Sequence, residues 1–87
     1  MDEADRRLLR RVGRRIAELR AQGGETQEQF AERYGASVKY VQAVEGGREN
    51  LTLLTLRDVA ATLAVPVDAL LIAPKSVVAR RGRPRKR

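Results

Sequence analysis

The chain has 87 residues, 43% hydrophobic and 33% charged, with no Cys, no His and only three aromatic residues, Phe30, Tyr34 and Tyr40. That length holds one small domain and a short tail, and the missing Cys and His exclude disulfides, zinc fingers, thiol catalysis and imidazole bases. The net charge of +7 is uneven: residues 73–87 carry seven Lys and Arg and no acid, while the 11 basic and 11 acidic groups of residues 1–72 cancel. Such a tail fits a polyanion partner, against the plainer reading of a solubilising segment. No apolar run approaches the roughly 20 residues of a membrane span, and the charged N-terminus lacks the apolar stretch of a secretory signal. A soluble cytoplasmic protein, with a core of Leu, Val, Ile and Ala, is the expectation.

The first helix is expected over about Asp5–Gln22, with Leu8, Leu9, Val12, Ile16 and Leu19 recurring at helical spacing on its inner side. Asp2, Glu3 and Asp5 stand at its positive end, where the helix dipole favours acids. Arg6, Arg7, Arg10, Arg11, Arg14 and Arg15 form three pairs spaced by four, a basic stripe that reads for the most part as a solvated outer face. Gly13 weakens this helix by about 1 kcal/mol relative to Ala, and Gly23-Gly24 ends it. Thr26 caps a second helix, and Thr26-Gln27-Glu28-Gln29 has the capping-box form. Phe30, Ala31 and Tyr34 supply its apolar side, and Gly35 is placed for a left-handed helix end.

Ser37 caps a third helix that runs to about Glu45, with Val41 and Val44 inward and Gly46-Gly47 as its stop. Two short helices joined by a Gly-containing turn of about three residues have helix-turn-helix spacing, with an ordinary helical hairpin as the plainer alternative. Arg48-Glu49-Asn50-Leu51 reads as a loop, which the Gly46-Gly47 pair loosens. Thr52 caps a fourth helix with Leu53, Leu56, Val59, Ala60 and Leu63 on one side. Pro66 opens a short fifth helix, Val67–Leu71, with Asp68 in its first turn. Pro74 closes the ordered part, so the expectation is an all-α domain of five helices over residues 1–72 and a flexible basic tail over residues 73–87.

Five spaced segments carry a resemblance. Ile16-Ala17-Glu18-Leu19-Arg20, Thr26-Gln27-Glu28-Gln29-Phe30-Ala31, Tyr34-Gly35-Ala36-Ser37, Val41-Gln42-Ala43-Val44-Glu45 with Gly47, and Leu63 to Leu71 occur in the order found in the lambda-repressor-like (XRE/Cro-type) helix-turn-helix family. The chain resembles that family over residues 12–72, which implies a five-helix DNA-binding domain, usually dimeric. The resemblance implies that Gln27 clamps a phosphate, that Arg20 and Glu45 form an ion pair locking the reading helix, and that Ser37, Val38, Lys39, Gln42 and Ala43 face base edges. Elementary chemistry agrees: Lys39 can donate to guanine, Gln42 can donate and accept, and Val38 and Ala43 can touch a thymine methyl. Val38 departs from the Gln or Arg of many members, and Gly46 replaces a commoner polar residue. Arg48 and Asn50 can reach the DNA backbone, and Tyr40 either packs at the helix junction or donates its hydroxyl to a phosphate.

Arg81-Gly82-Arg83-Pro84, flanked by Arg80, Arg85, Lys86 and Arg87, is similar to an AT-hook core. Gly lets the backbone approach the floor of a narrow minor groove, two Arg spread along it, and Pro keeps the chain extended. A basic tail making only phosphate contacts is the alternative, and both bind DNA. The expected function is a sequence-specific transcriptional regulator, in the manner of a repressor, binding an inverted repeat as a homodimer. Phage regulators, restriction–modification controllers and antitoxins with a toxin partner all use domains of this size. The alternative function is an architectural, nucleoid-associated protein dominated by the tail. No enzyme, cofactor or metal is expected, since the 11 carboxylates are grouped with no base, ligand set or phosphate loop, and Glu25, Glu28 and Glu32 read as a solvated helix face.

Overall fold

The computed structural model describes residues 1–75. Four α-helices follow one another, α1 (Glu3–Gln22), α2 (Gln27–Tyr34), α3 (Val38–Glu45) and α4 (Leu53–Leu63), and a 3-10 segment (Val67–Leu71) closes the series. Among the described residues there is no strand. The expected fifth helix is corrected to a single short 3-10 segment: Pro66 enters it in an extended conformation (ψ 154°), and its bonding is i→i+3, as in Ala69 N–H to the Pro66 carbonyl at 3.0 Å. The tail residues Arg80 to Arg87, with their AT-hook-like core, lie outside the described residues.

Each helix start is set by a side chain that satisfies orphan N–H groups. Asp2 accepts from Asp5 N–H at 2.9 Å while the Asp5 carboxylate accepts from Asp2 N–H at 3.3 Å. These acids are the cap itself, so α1 begins two residues before the expected Asp5. Thr26 and Gln29 form the reciprocal capping box of α2, at 3.0 and 2.9 Å. Gly35 ends α2 at φ +88°, a conformation costly for any residue with a Cβ. Ser37 caps α3 through Tyr40 N–H at 3.0 Å, and Thr52 caps α4 through Thr55 N–H at 3.0 Å.

The core takes about two residues from each helix: Val12 and Ile16, Phe30 and Ala31, Val41 and Val44, Val59 and Ala60, closed by Leu70. Phe30, Tyr34 and Tyr40 stack in series, with centroids 5.8 and 6.4 Å apart. Burial on α1 starts at Leu9, so Leu8, expected inward, is 55% exposed. Leu53, also expected inward, is 72% exposed because α4 first meets its neighbours one turn later, at Leu56.

Arg15, read with its neighbours as a solvated face, is instead half-buried. Its Nη1 donates to Glu18 at 2.7 Å and its Nε to the Ala69 carbonyl at 2.9 Å, while Glu18 accepts from Lys75 N–H at 2.9 Å. One ion pair thus fastens the 3-10 segment and the chain beyond it to α1.

Gly13 turns out to be a packing residue. A Cβ there would strike the Val44 carbonyl oxygen and lie 2.7 Å from that of Glu45, so its absence lets α1 touch the end of α3. Gly47, at φ +75°, meets Arg10 in the same way: a Cβ would stand 2.6 Å from the Arg10 Cα. The Gly46-Gly47 pair therefore docks the loop onto α1 rather than loosening it. Helix propensity alone makes Gly13→Ala stabilising by about 1 kcal/mol; the backbone clash reverses the sign. We expect Gly13→Ala to lose about 2–3 kcal/mol in urea denaturation, and a gain in stability would contradict this packing.

Candidate nucleic-acid interface

The rotation of α3 about its own axis is fixed by Val41 and Val44, both buried. Helical periodicity then turns Lys39 and Gln42 outward, and both are exposed. Ser37 is exposed too, but its hydroxyl is engaged as the cap. Ala43 is half-buried beside them, and Val38 is half-buried and packs against the core, which limits its reach. Of the five residues expected at base edges, Lys39 and Gln42 present the most functional surface.

Tyr40 stacks on Tyr34, so the helix-junction alternative describes its ring. Burial pushes the Tyr40 hydroxyl above its ordinary pKa, aided by Glu49, and burial followed by the Tyr40 and Asp58 charges does the same to Tyr34. Both stay neutral at physiological pH.

A polar junction holds α3 from behind. Arg20 Nε and Nη2 donate to the two oxygens of Glu45 at 2.6 and 3.0 Å, and Arg20 Nη1 donates to the Glu25 carbonyl at 2.7 Å. The side chains are 15% and 7% exposed, so water screens the pair weakly. The hydrogen bond that Arg20 donates to Glu45 raises the Arg20 pKa above the ordinary arginine value, against the opposing effect of burial. Gln27 joins the same junction: its Nε2 donates to Glu45 at 2.8 Å and its Oε1 accepts from Gln42 at 3.5 Å. A hydrogen-bonded line thus runs from Arg20 through Glu45 and Gln27 to the exposed Gln42. Spacing along the chain gives no sign of the two Gln27 contacts, because their partners lie 18 and 15 residues away.

Arg48 and Asn50 are exposed, as expected of a loop. Arg48 N–H donates to the Ala43 carbonyl at 2.8 Å, and the guanidinium lies over Gly46, where a Cβ would come within 3.2 Å of its Cζ. Gly46 is thus the seat of Arg48. Gln27 and Gln42 are joined by their side-chain hydrogen bond, and Lys39 lies about one turn along α3 from Gln42. Glu25, read with Glu28 and Glu32 as a solvated face, instead takes a fork from Arg33 at 2.7 and 2.8 Å, which lowers its pKa. Among the described residues no helix is long and apolar enough to cross a membrane.

A helix of this kind, joined by a three-residue turn to its predecessor and exposed along one polar edge, has the geometry of the second helix of a helix-turn-helix. The family model for helix-turn-helix proteins matches residues 16–70, and the chain belongs to that family. Over 54 residues it is 43% identical to the HTH-type transcriptional regulator y4dJ of Sinorhizobium fredii, covering 62% of this chain and 70% of that one. Among solved structures it resembles the restriction-modification controller protein C.AhdI of Aeromonas hydrophila, with TM-score 0.70 and 30% identity, over 79% of this chain and 99% of that one. The clp gene regulator ClgR of C. glutamicum is similar as well, with TM-score 0.68 and 31% identity, over 74% and 83% of the two chains. The fold is thus the DNA-binding fold of helix-turn-helix transcriptional regulators, a class without enzymatic activity.

Removing one partner of the Arg20–Glu45 pair leaves a half-buried charge without its counter-ion. We expect Glu45→Ala to cost about 2–4 kcal/mol, somewhat below or within the range for fully buried pairs. For a domain of this size that lowers the melting temperature by roughly 10 °C or more; an unchanged melting temperature would contradict a stabilising junction.

Proposed function

We propose that the protein is a sequence-specific transcriptional repressor that binds an inverted-repeat operator as a homodimer, each protomer placing residues 37–45 in a major groove. The observation that carries this reading is the exposed Lys39 and Gln42 edge of α3, held from behind by the Arg20–Glu45–Gln27 junction. Lys39 donates to guanine O6 and N7, and Gln42 reads a neighbouring base with the amide group that Gln27 steadies. Ser37, Val38 and Ala43 border that contact, the two apolar side chains against thymine methyl groups. Gln27 spends one amide N–H on Glu45 and keeps the second for a phosphate. Arg48, Asn50 and the Tyr40 hydroxyl add backbone contacts, and residues 80–87 add charge along the backbone or in the minor groove. Two reading helices about 34 Å apart would match successive major grooves. Repression then requires only occupancy of a promoter. Likeness to a restriction-modification controller and to a gene regulator favours this reading over an architectural role.

The test is selection of bound sequences from a random duplex pool. A repressor of this kind returns one symmetric site preferred over random DNA by about three orders of magnitude or more; an architectural protein returns only A·T content. We expect Lys39→Ala to change the preferred base at one position per half-site, with about 1–3 kcal/mol of discrimination lost there. Gln27→Ala should weaken all sites alike. Removing residues 80–87 should reduce the salt dependence by several units while the selected site persists. If Lys39→Ala binds every sequence with wild-type affinity, the reading face lies elsewhere.

A further inference from the structure

The first turns of α1 stand outside the stretch that matches the helix-turn-helix family, which begins at residue 16. They are the most basic part of the described chain. Arg6, Arg7, Arg10, Arg11 and Arg14 are all exposed. At 3.6 residues per turn they spread over an arc of about 140° on the side away from Val12 and Ile16, and along about 12 Å of helix axis. Among the described residues Arg6, Arg7, Arg11 and Arg14 form no ion pair, and Arg10 meets only Glu3, at 3.0 Å, in an exposed pair of little strength. Glu18, which falls on the same arc, accepts from Arg15 and from Lys75 N–H.

This arc is joined to the reading element. The Gly47 backbone sits against Arg10, and Gly13 sits against the carbonyls that end α3. Asn50 and Leu51 share a groove with Leu8 and Leu9. The loop that carries Arg48 and Asn50 is therefore packed against α1, which has no acidic side chain between Arg6 and Ala17.

We infer that the outer face of α1 is a second phosphodiester-binding surface, which takes the DNA backbone flanking the bases read by α3. Its length equals the axial rise of roughly three or four phosphates of one strand. Guanidinium groups without carboxylate partners are free to form forked bonds to phosphate oxygens, and an exposed helix face needs no rearrangement to do so. The surface reads no sequence; it lengthens the footprint and sets the register of the domain on the duplex. The inference rests on α3 being the major-groove element.

The experiment uses the full chain and the duplex selected from the random pool, once trimmed flush and once extended by about one helical turn on each side. The variant carries Arg6→Gln, Arg7→Gln, Arg11→Gln and Arg14→Gln. Gln is a good helix former, and these side chains make no contact that folding requires; circular dichroism confirms the fold, and Arg7→Gln and Arg11→Gln singly serve if the fourfold change does not fold. We expect wild type to bind the extended duplex more tightly than the trimmed one, and the variant to lose that difference. Its log–log salt slope should shrink by about two to four units, and its affinity at moderate salt should fall about tenfold or more. Hydroxyl-radical protection should retreat from the outer phosphates, and the selected bases should stay the same. An unchanged slope and footprint in a variant that still selects the site overturns this inference alone. Loss of self-association with no change in slope also overturns it, and assigns the face to a second copy of the chain. Failure of wild type to select any site overturns the inference together with the reading of α3.

Discussion

The fork between Arg20 and Glu45 is the constraint on which the placement of α3 depends. It joins the last turn of α1 to the last residue of α3, and Gln27 brings the first residue of α2 to the same carboxylate. Three helices thus meet at one group. The apolar core beneath is built mostly from small side chains, Val and Ala with single Ile, Phe and Leu residues. Burying each larger one contributes about 1.5–3 kcal/mol, but such contacts are not directional. A well-packed apolar pair of equal volume could match the stability of the fork. It would lack the fixed two-point geometry of guanidinium on carboxylate, and it would leave the Gln27 amide with no acceptor.

Two glycines complete the frame. Gly13 brings α1 against the carbonyls that end α3, and Gly47 brings the following loop against Arg10. Helix α3 is therefore held at its C-terminal end by backbone contact and by the fork, while Ser37 at its other end lies open. Rigid support at one end and solvent at the other is what a helix needs if it is to enter a groove without first reordering.

Much of this was legible in the residues. Thr26 with Gln29, Ser37, Thr52 and Gly35 mark helix ends because each satisfies a local need, an orphan N–H or a positive φ, that sequence spacing states directly. Val41 and Val44 give the inward side of α3 by periodicity alone. What escaped was set at long range. Gly13 looks like a defect by propensity, yet its partners lie more than 30 residues on. Arg15 looks solvated on a basic stripe, yet its Nε reaches a carbonyl 54 residues away. Local pattern also placed Leu8 and Leu53 inside, because periodicity identifies a face and does not say where along a helix the neighbouring elements begin. The short 3-10 segment read as a helix for a related reason: Pro66 signals a start and says nothing of how many turns follow.

The proposed function divides the labour of nucleic-acid recognition over the outer surface. On the proposed reading, Lys39 and Gln42 supply hydrogen bonds that distinguish bases, whereas the charges of Arg48 and the α1 arginines and the neutral amide of Asn50 meet the backbone and do not. The most direct test of α3 as the reading element is a two-dimensional amide NMR titration of the folded protein with its selected duplex. Perturbations should centre on residues 37–43, with Gln27 and residues 48–50 beside them, and should leave residues 59–71 near their free positions. Perturbations gathered on α4 and the 3-10 segment, with α3 silent, would contradict it.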